Sequence, residues 1–371
     1  ERRVGDGDDK FRGREGQYVI EDLEWEHPLC DAFMEGATSL GIPRNADYNG
    51  EAQEGVGFFQ RSIHKGLRQS SARSYLYPAM GKGNLTVKTK AMATSLILEG
   101  KRVVGVRFRQ GGVDKEVRAR REVIVSGGTF NSPQLLQLSG IGPAPLLNEL
   151  GIPVLHELPG VGENLRDHYP VRMAARAKNI STINEKSRGL PLAWEVIKYL
   201  VARKGILTLQ PTLVACFWKS DENLESGDLQ MTFTPASYAE GVQSDLEQDP
   251  GMTIAVWQQR PESTGYVRAR SPDPMEKPDI QPNYLADDID QRALLGGIKL
   301  GRRLFRTEAL APYFEQETSP GDGVDTDEQL LNYARERGTT AFHPMGTCRM
   351  GPAADRNAVV DDQLRVHGLE G

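Results

Sequence analysis

The stretch REVIVSGGTFNSPQLLQLSGIG, residues 121–142, decides the fold class. Its opening run Val123-Ile124-Val125 is short, apolar and β-branched, which reads as a buried strand. Gly127-Gly128 then supply a turn. In the segment that follows, Ser132 suits an N-cap, Pro133 the first helical position and Gly140 the stop. A strand passing through paired glycines into a helix start turns free backbone N–H groups and the positive end of the dipole toward the turn. That geometry suits an anionic or phosphate-bearing ligand. An ordinary strand-to-helix turn is the competing reading of the same residues.

Working upstream, NLTVKTK, TSLILEG, KRVVGVRFRQ and KEVRARREVIVS read as strands, with tight turns at Glu99-Gly100-Lys101 and Gly111-Gly112. Further back, the first 60 or so residues read as irregular, apart from one helix in HPLCDAFMEGATSLGIP. Pro28 sits near its start, and Gly41 and Pro43 close it. NADYNGEAQEGVGFFQ carries turn signals throughout. Downstream, GVGENL lacks the third glycine of a dinucleotide fingerprint, and no complete G-x-G-x-x-G occurs in the chain. From about residue 165 to 338, LPLAWEVIKYLVARKG, DIDQRALLGGIKLGRRLFRTEAL and DEQLLNYARERG read as helices. DLQMTFTPASY, MTIAVWQQRP and GYVRARS read as strands. Strands followed by helices imply an α+β (mixed α/β) protein rather than repeated βαβ units.

Composition narrows the function. The 371 residues are 38% hydrophobic and 26% charged, with a net charge of −6. No basic tract interleaves with aromatics, which argues against nucleic acid. No stretch has the apolar length of a membrane span. Cys30, Cys216 and Cys348 are odd in number and far apart, so neither a disulfide framework nor a zinc site is indicated. No metal is expected, and a reducing, cytoplasmic compartment is, with peripheral association with a membrane left open for the parent protein.

AFHPMGTCRMG, residues 341–351, gathers unusual chemistry late in the chain. His343 precedes a proline, so it falls on a loop or strand start, where functional residues concentrate. Its imidazole can take a proton from an alcohol near neutral pH. The bland alternative is a core histidine bonded to a carbonyl, and that reading also covers His27, His64, His156 and His367. Cys348 reads as a small buried filler.

SGGTFNSPQLLQLSGIG resembles the second signature of the glucose–methanol–choline (GMC) oxidoreductases, which are FAD-dependent alcohol oxidases and dehydrogenases. GLRQSSARSYL, ELPGVGENLRDH, RPESTGYVRARSPDP, PDIQPNYL, AFHPMGTCRMG and VVDDQLRVHGLEG are similar to family blocks in family order, so the likeness runs from about Phe11 to Gly371. The choline-dehydrogenase-like branch looks nearest. The resemblance implies that the chain acts on the CH–OH group of an alcohol, with hydride passing to flavin N5 and His343 as proton acceptor. It also implies that the Ala93 backbone, Gly127 and Gly128 contact FAD. The partner is a small-molecule alcohol, and the electron acceptor is left open.

The resemblance further implies a partial FAD-binding domain and a substrate domain with an antiparallel sheet backed by helices. The expected division is an irregular lid over 1–66, FAD-binding parts at 67–163 and 339–371, and a substrate domain at 164–338. The family's opening G-x-G-x-x-G unit and its late partner of the active-site histidine have no counterpart, so the chain reads as a fragment. Two alternatives stand beside the alcohol reading: a hydroxynitrile-lyase-like enzyme on the same scaffold, and a truncated non-catalytic protein. For a quaternary ammonium substrate, Trp194, Trp218, Trp257 and Tyr238 are the candidates for an aromatic cage.

Overall fold

A computed structural model describes residues 1–239 and 245–371. In chain order its main helices are α1 (Pro28–Ser39), α2 (Gly128–Leu138), α3 (Gly189–Ala202), α4 (Asp288–Phe305) and α5 (Asp327–Arg337). The strands used below are β1 (Gly55–Phe58), β2 (Ala91–Glu99), β3 (Arg102–Gln110), β4 (Val113–Arg118), β5 (Glu163–Leu165) and β6 (Val171–Ala177). They continue with β7 (Val214–Trp218), β8 (Leu229–Thr234), β9 (Gly251–Gln258), β10 (Gly265–Arg268), β11 (Asp279–Gln281) and β12 (Phe314–Ser319). The mixed α/β class with antiparallel sheets is as the sequence implies. The chain divides into two compact units, residues 1–85, 169–260 and 288–339, and residues 86–168, 261–287 and 340–371.

The first unit is built on a six-stranded antiparallel sheet in the order β12-β6-β9-β8-β7-β1. Side chains alternate across it. Met173, Ile254, Val256, Leu229 and Met231 are almost wholly buried on one face. Helix α4 lies on that face, and it comes close because Gly297 and Gly301 have no side chains. A Cβ on Gly297 would lie 2.5 Å from the Val256 side chain, and one on Gly301 2.2 Å from Met173. Phe33 of α1 stacks on Phe233 at 4.5 Å. Each such fully buried side chain contributes roughly 1.5–3 kcal/mol. The intervening residues Arg172, Ala174 and Thr253 belong to the opposite face, where a cavity of about 720 Å³ is also lined by Tyr238, Ser319 and Tyr333.

The second unit holds two three-stranded antiparallel sheets, β2-β3-β4 and β5-β10-β11. Helix α2 joins them. Ser139, at its C-cap, accepts a hydrogen bond from the Leu96 N–H of β2 at 2.8 Å. The buried amide of Gln137 donates to the carbonyls of Val161 and Val267 and accepts from the Ala269 N–H at 2.8 Å. Leu96, Val103, Leu136, Ile141, Leu158, Val161 and Val359 form its core, with Cys348 packed against it.

Three expectations need correction. Residues 85–89 and 119–127 are not strands, and Ile124 is 78% exposed. A strand needs a neighbour to satisfy its N–H and C=O groups. Here Val123 N–H reaches Gly371 O at 2.7 Å and no ladder forms. Second, α2 begins at Gly128, with Pro133 inside it rather than at its start. Third, Gly55–Phe58, read as turn, is an edge strand of the large sheet. Its glycines hid the pattern, because Asn45 approaches so closely that a Cβ on Gly57 would lie 2.0 Å from its carbonyl oxygen. The limits of the compact units also differ from the expected segments. Residues 1–85 run in one unit without a break at 66, and 261–287 fall with 86–168 because β10 pairs with β5.

Candidate active site

Residues 166–168 run antiparallel to 341–345. Arg166 and Met345 exchange backbone hydrogen bonds at 3.0 and 2.9 Å, and Ala341 N–H donates to His168 O at 3.0 Å. The Ala341 bond falls two residues out of the Arg166–Met345 register, so the turn through Phe342 and not a continued ladder brings His343 to His168. Their Nδ1 atoms lie 3.1 Å apart, with the rings edge to face at 77°.

Asp167, which is buried, fixes this arrangement. Its carboxylate accepts from the Thr340 and Tyr284 hydroxyls at 2.5 Å each and from the His343 backbone N–H at 2.9 Å. Hydrogen bonds to an ionised acceptor are about twice as strong as neutral ones. They hold Phe342 in the left-handed region at φ +59, with its N–H on the Thr340 hydroxyl at 2.9 Å. A non-glycine residue persists there only where its surroundings over-determine it. The result is an exposed, firmly aimed His343.

The same segment is stitched to the start of α2. Thr129 Oγ1 donates to Pro344 O at 2.7 Å, and Thr347 Oγ1 donates to Thr129 O at 2.6 Å. Pro133 explains the second bond. It has no N–H for the carbonyl four residues earlier, which is that of Thr129, so the Thr347 hydroxyl takes the vacant acceptor. The helix start is open for a ligand. Gly127 caps it with no side-chain bond, and Gly128 has φ +78 with nothing within 4 Å of where a Cβ would lie. Ala93 is exposed on β2, beside a register shift between Ala93 and Ser95.

Four other histidines do structural work. His27 caps α1, His64 bonds Glu21, His156 reaches His367 O and His367 reaches Gly351 O. Burial pushes the Cys348 thiol up to about 11, which suits a filler and not a nucleophile. Among the described residues no group of three metal-ligating side chains gathers. Of the four aromatics considered for a cage, Tyr238 alone lines the cavity of the first unit, and the Arg172 guanidinium already lies 5.4 Å from its ring. His168 and Asp167 are the site residues the sequence reading missed. The adjacent pair in NLRDHYP was the available signal, but nothing in its spacing ties it to a position 175 residues later.

An uncapped helix start beside a fixed histidine pair, in a mixed α/β chain, has the parts of a cofactor-dependent enzyme. The chain belongs to the GMC oxidoreductase family, whose two family models match residues 9–170 and 261–371. It is 38% identical over 98% of its length to the oxygen-dependent choline dehydrogenase of Staphylococcus saprophyticus, covering 65% of that protein. It is 36% identical over 97% of its length to the alcohol dehydrogenase [acceptor] of Pseudomonas putida, again covering 65%. Among solved structures it is similar to the formate oxidase of Aspergillus oryzae, studied for FAD modification, with TM-score 0.86 and 25% identity over 96% of this chain and 67% of that one. The chain thus spans about two thirds of the length of these relatives.

FAD is the cofactor that family membership implies. The residues present fit it in part. The open glycine turn and the uncapped α2 offer N–H donors and room, while no G-x-G-x-x-G cradle for a pyrophosphate exists in the chain. Among the described residues no helix is long and apolar enough to cross a membrane.

Proposed function

We propose that this chain serves the FAD-dependent oxidation of an alcohol CH–OH group, with His343 as the proton acceptor for the hydroxyl. Ala93, Gly127 and Gly128 would border the cofactor, and a bound FAD supplies the oxidant. The observation that carries this reading is the ring-to-ring contact of His168 and His343 at 3.1 Å.

Proton counting gives that contact its meaning. Two neutral imidazoles carry two protons on four nitrogens. One proton occupies the Nδ1–H···Nδ1 bond. The ring that donates it has a bare Nε2, and the ring that accepts it carries Nε2–H. With His343 as the ring donating through Nδ1, its Nε2 can take the hydroxyl proton. Asp167 contributes by holding the His343 backbone rather than by proton transfer.

The substrate is proposed only as a small alcohol. The named relatives include choline dehydrogenases, but the face of Tyr238 in the first unit's cavity is already taken by Arg172. The test is anaerobic addition of a panel of alcohols to protein saturated with FAD. Flavin absorbance should bleach, and His343→Ala should slow the bleaching by about 10²–10⁴-fold while FAD content stays level. A flavin that stays oxidised with every alcohol, or His343→Ala with unchanged rate, overturns the assignment.

A further inference from the structure

We propose that the cavity of the first unit is a binding site for a small hydroxylated monocarboxylate, anchored on Arg172. The cavity, of about 720 Å³, has the size of a small-molecule site. Arg172 and Ala174 of β6 line it, two residues apart on one face of the sheet. The Arg172 guanidinium lies 5.4 Å from the centre of the Tyr238 ring, a cation–π contact that aims the charge without neutralising it. Among the described residues this guanidinium has no ion pair. The other arginine of the strand, Arg176, is paired with Glu247 at 3.2 Å. The backbone at Arg172 is fixed as well, since its carbonyl accepts from the Tyr333 hydroxyl at 2.6 Å. A half-buried, positioned guanidinium with its fork of N–H donors open matches the two oxygens of a carboxylate.

The rest of the lining selects the class of ligand. Gln329 and Asn332 stand three residues apart on one face of α5, and both line the cavity. Gln329 Oε1 is taken by the Asp325 and Thr326 N–H groups at 3.0 Å each, and Asn332 Oδ1 by Arg335 at 3.2 Å. Each amide therefore has its NH2 group to offer a ligand. Donors from both β6 and α5 favour an acceptor-rich molecule, such as a carboxylate that also carries hydroxyls. The lining sets two arginines, Arg172 and Arg337, against two acids, Glu247 and Glu336. With no excess of cations the site suits the single charge of a carboxylate and opposes the double charge of a phosphate ester. A cationic ligand would meet the Arg172 charge at the Tyr238 ring. The site lies wholly in the first unit and does not depend on the alcohol oxidation.

The test is isothermal titration calorimetry on the whole 371-residue chain. The probes are D-gluconate, 4-hydroxybutyrate and 4-hydroxyphenylacetate, each beside its neutral primary amide. At least one acid should bind saturably, and roughly 10-fold or more tightly than its amide, which is the worth of a hydrogen bond to a charged group. Arg172→Gln should lose that preference. Arg172→Lys keeps the charge without the fork and should keep part of it. Both variants should melt as the wild type does, because neither breaks an ion pair. No saturable binding of any of the acids, equal binding of acid and amide, or Arg172→Gln that binds like the wild type overturns the proposal. So does glucose 6-phosphate binding more tightly than every carboxylate, which would assign the cavity to a phosphate ester.

Discussion

Pro133 is a small defect in α2 with a large consequence. It strips one carbonyl of its helical donor, and the chain answers with a hydroxyl from a segment more than 200 residues away. Thr347 is 2% exposed, so water cannot replace it. Thr347→Val should therefore leave a buried acceptor unpaired and cost about 1–3 kcal/mol in urea unfolding. Pro133→Ala in that background returns an N–H to Thr129 O and should recover part of the loss. An equal cost of Thr347→Val in the wild type and in the Pro133→Ala background would show that the hydroxyl does not serve that carbonyl. The same scale explains what was missed. His343 stood out because its neighbours are small and unusual. His168 acquires its place only from the backbone bonds of 166–168 to 341–345, which no local pattern announces.

Elements were legible where their partners are close in sequence. The hairpins of β2, β3 and β4 turn at the expected glycines, and α1 begins at Pro28 as its signals imply. They failed where pairing decides, as with the apolar run at 123–125, which carries the composition of a strand without a ladder to join. The start of α1 also carries a pH dependence. His27 is buried; its Nδ1 accepts from the Leu29 N–H at 3.3 Å, and its Nε2 lies 3.0 Å from Ser181 O. An N-cap acceptor at Nδ1 requires the neutral ring, with the proton on Nε2. Burial accordingly holds its pKa below the ordinary 6.5. On acidification the unfolded chain takes up this proton first. The stabilisation is complete above 6.5 and is lost as pH falls through the lower folded value. His27→Asn keeps a capping acceptor and removes the titration. Melting temperature should fall more steeply below pH 6.5 for the wild type than for this variant. Parallel curves would mean that His27 does not contribute to acid sensitivity.

At the scale of the whole molecule, the mixed α/β class and the antiparallel sheet backed by helices could be read from the order of strands and helices. The cavity of the first unit could not, because Arg172, Tyr238 and Asn332 are distant in sequence and only the fold brings them to one lining. Cofactor affinity is also a property of the whole. A dinucleotide is held through many donors at once, and the chain offers an open glycine turn and one uncapped helix start for it. The G-x-G-x-x-G unit would add several backbone bonds to a charged pyrophosphate. Hydrogen bonds to charged groups are worth about 1.5–3 kcal/mol each, so the loss of two of them weakens binding by roughly 10²–10⁴-fold. The 371-residue chain should therefore leave a desalting column with far less than one flavin per protein, and an FAD titration should saturate only at high ligand concentration. Flavin absorbance near one equivalent after desalting would show that the glycine turn, α2 and the segment around His343 hold the cofactor without that cradle.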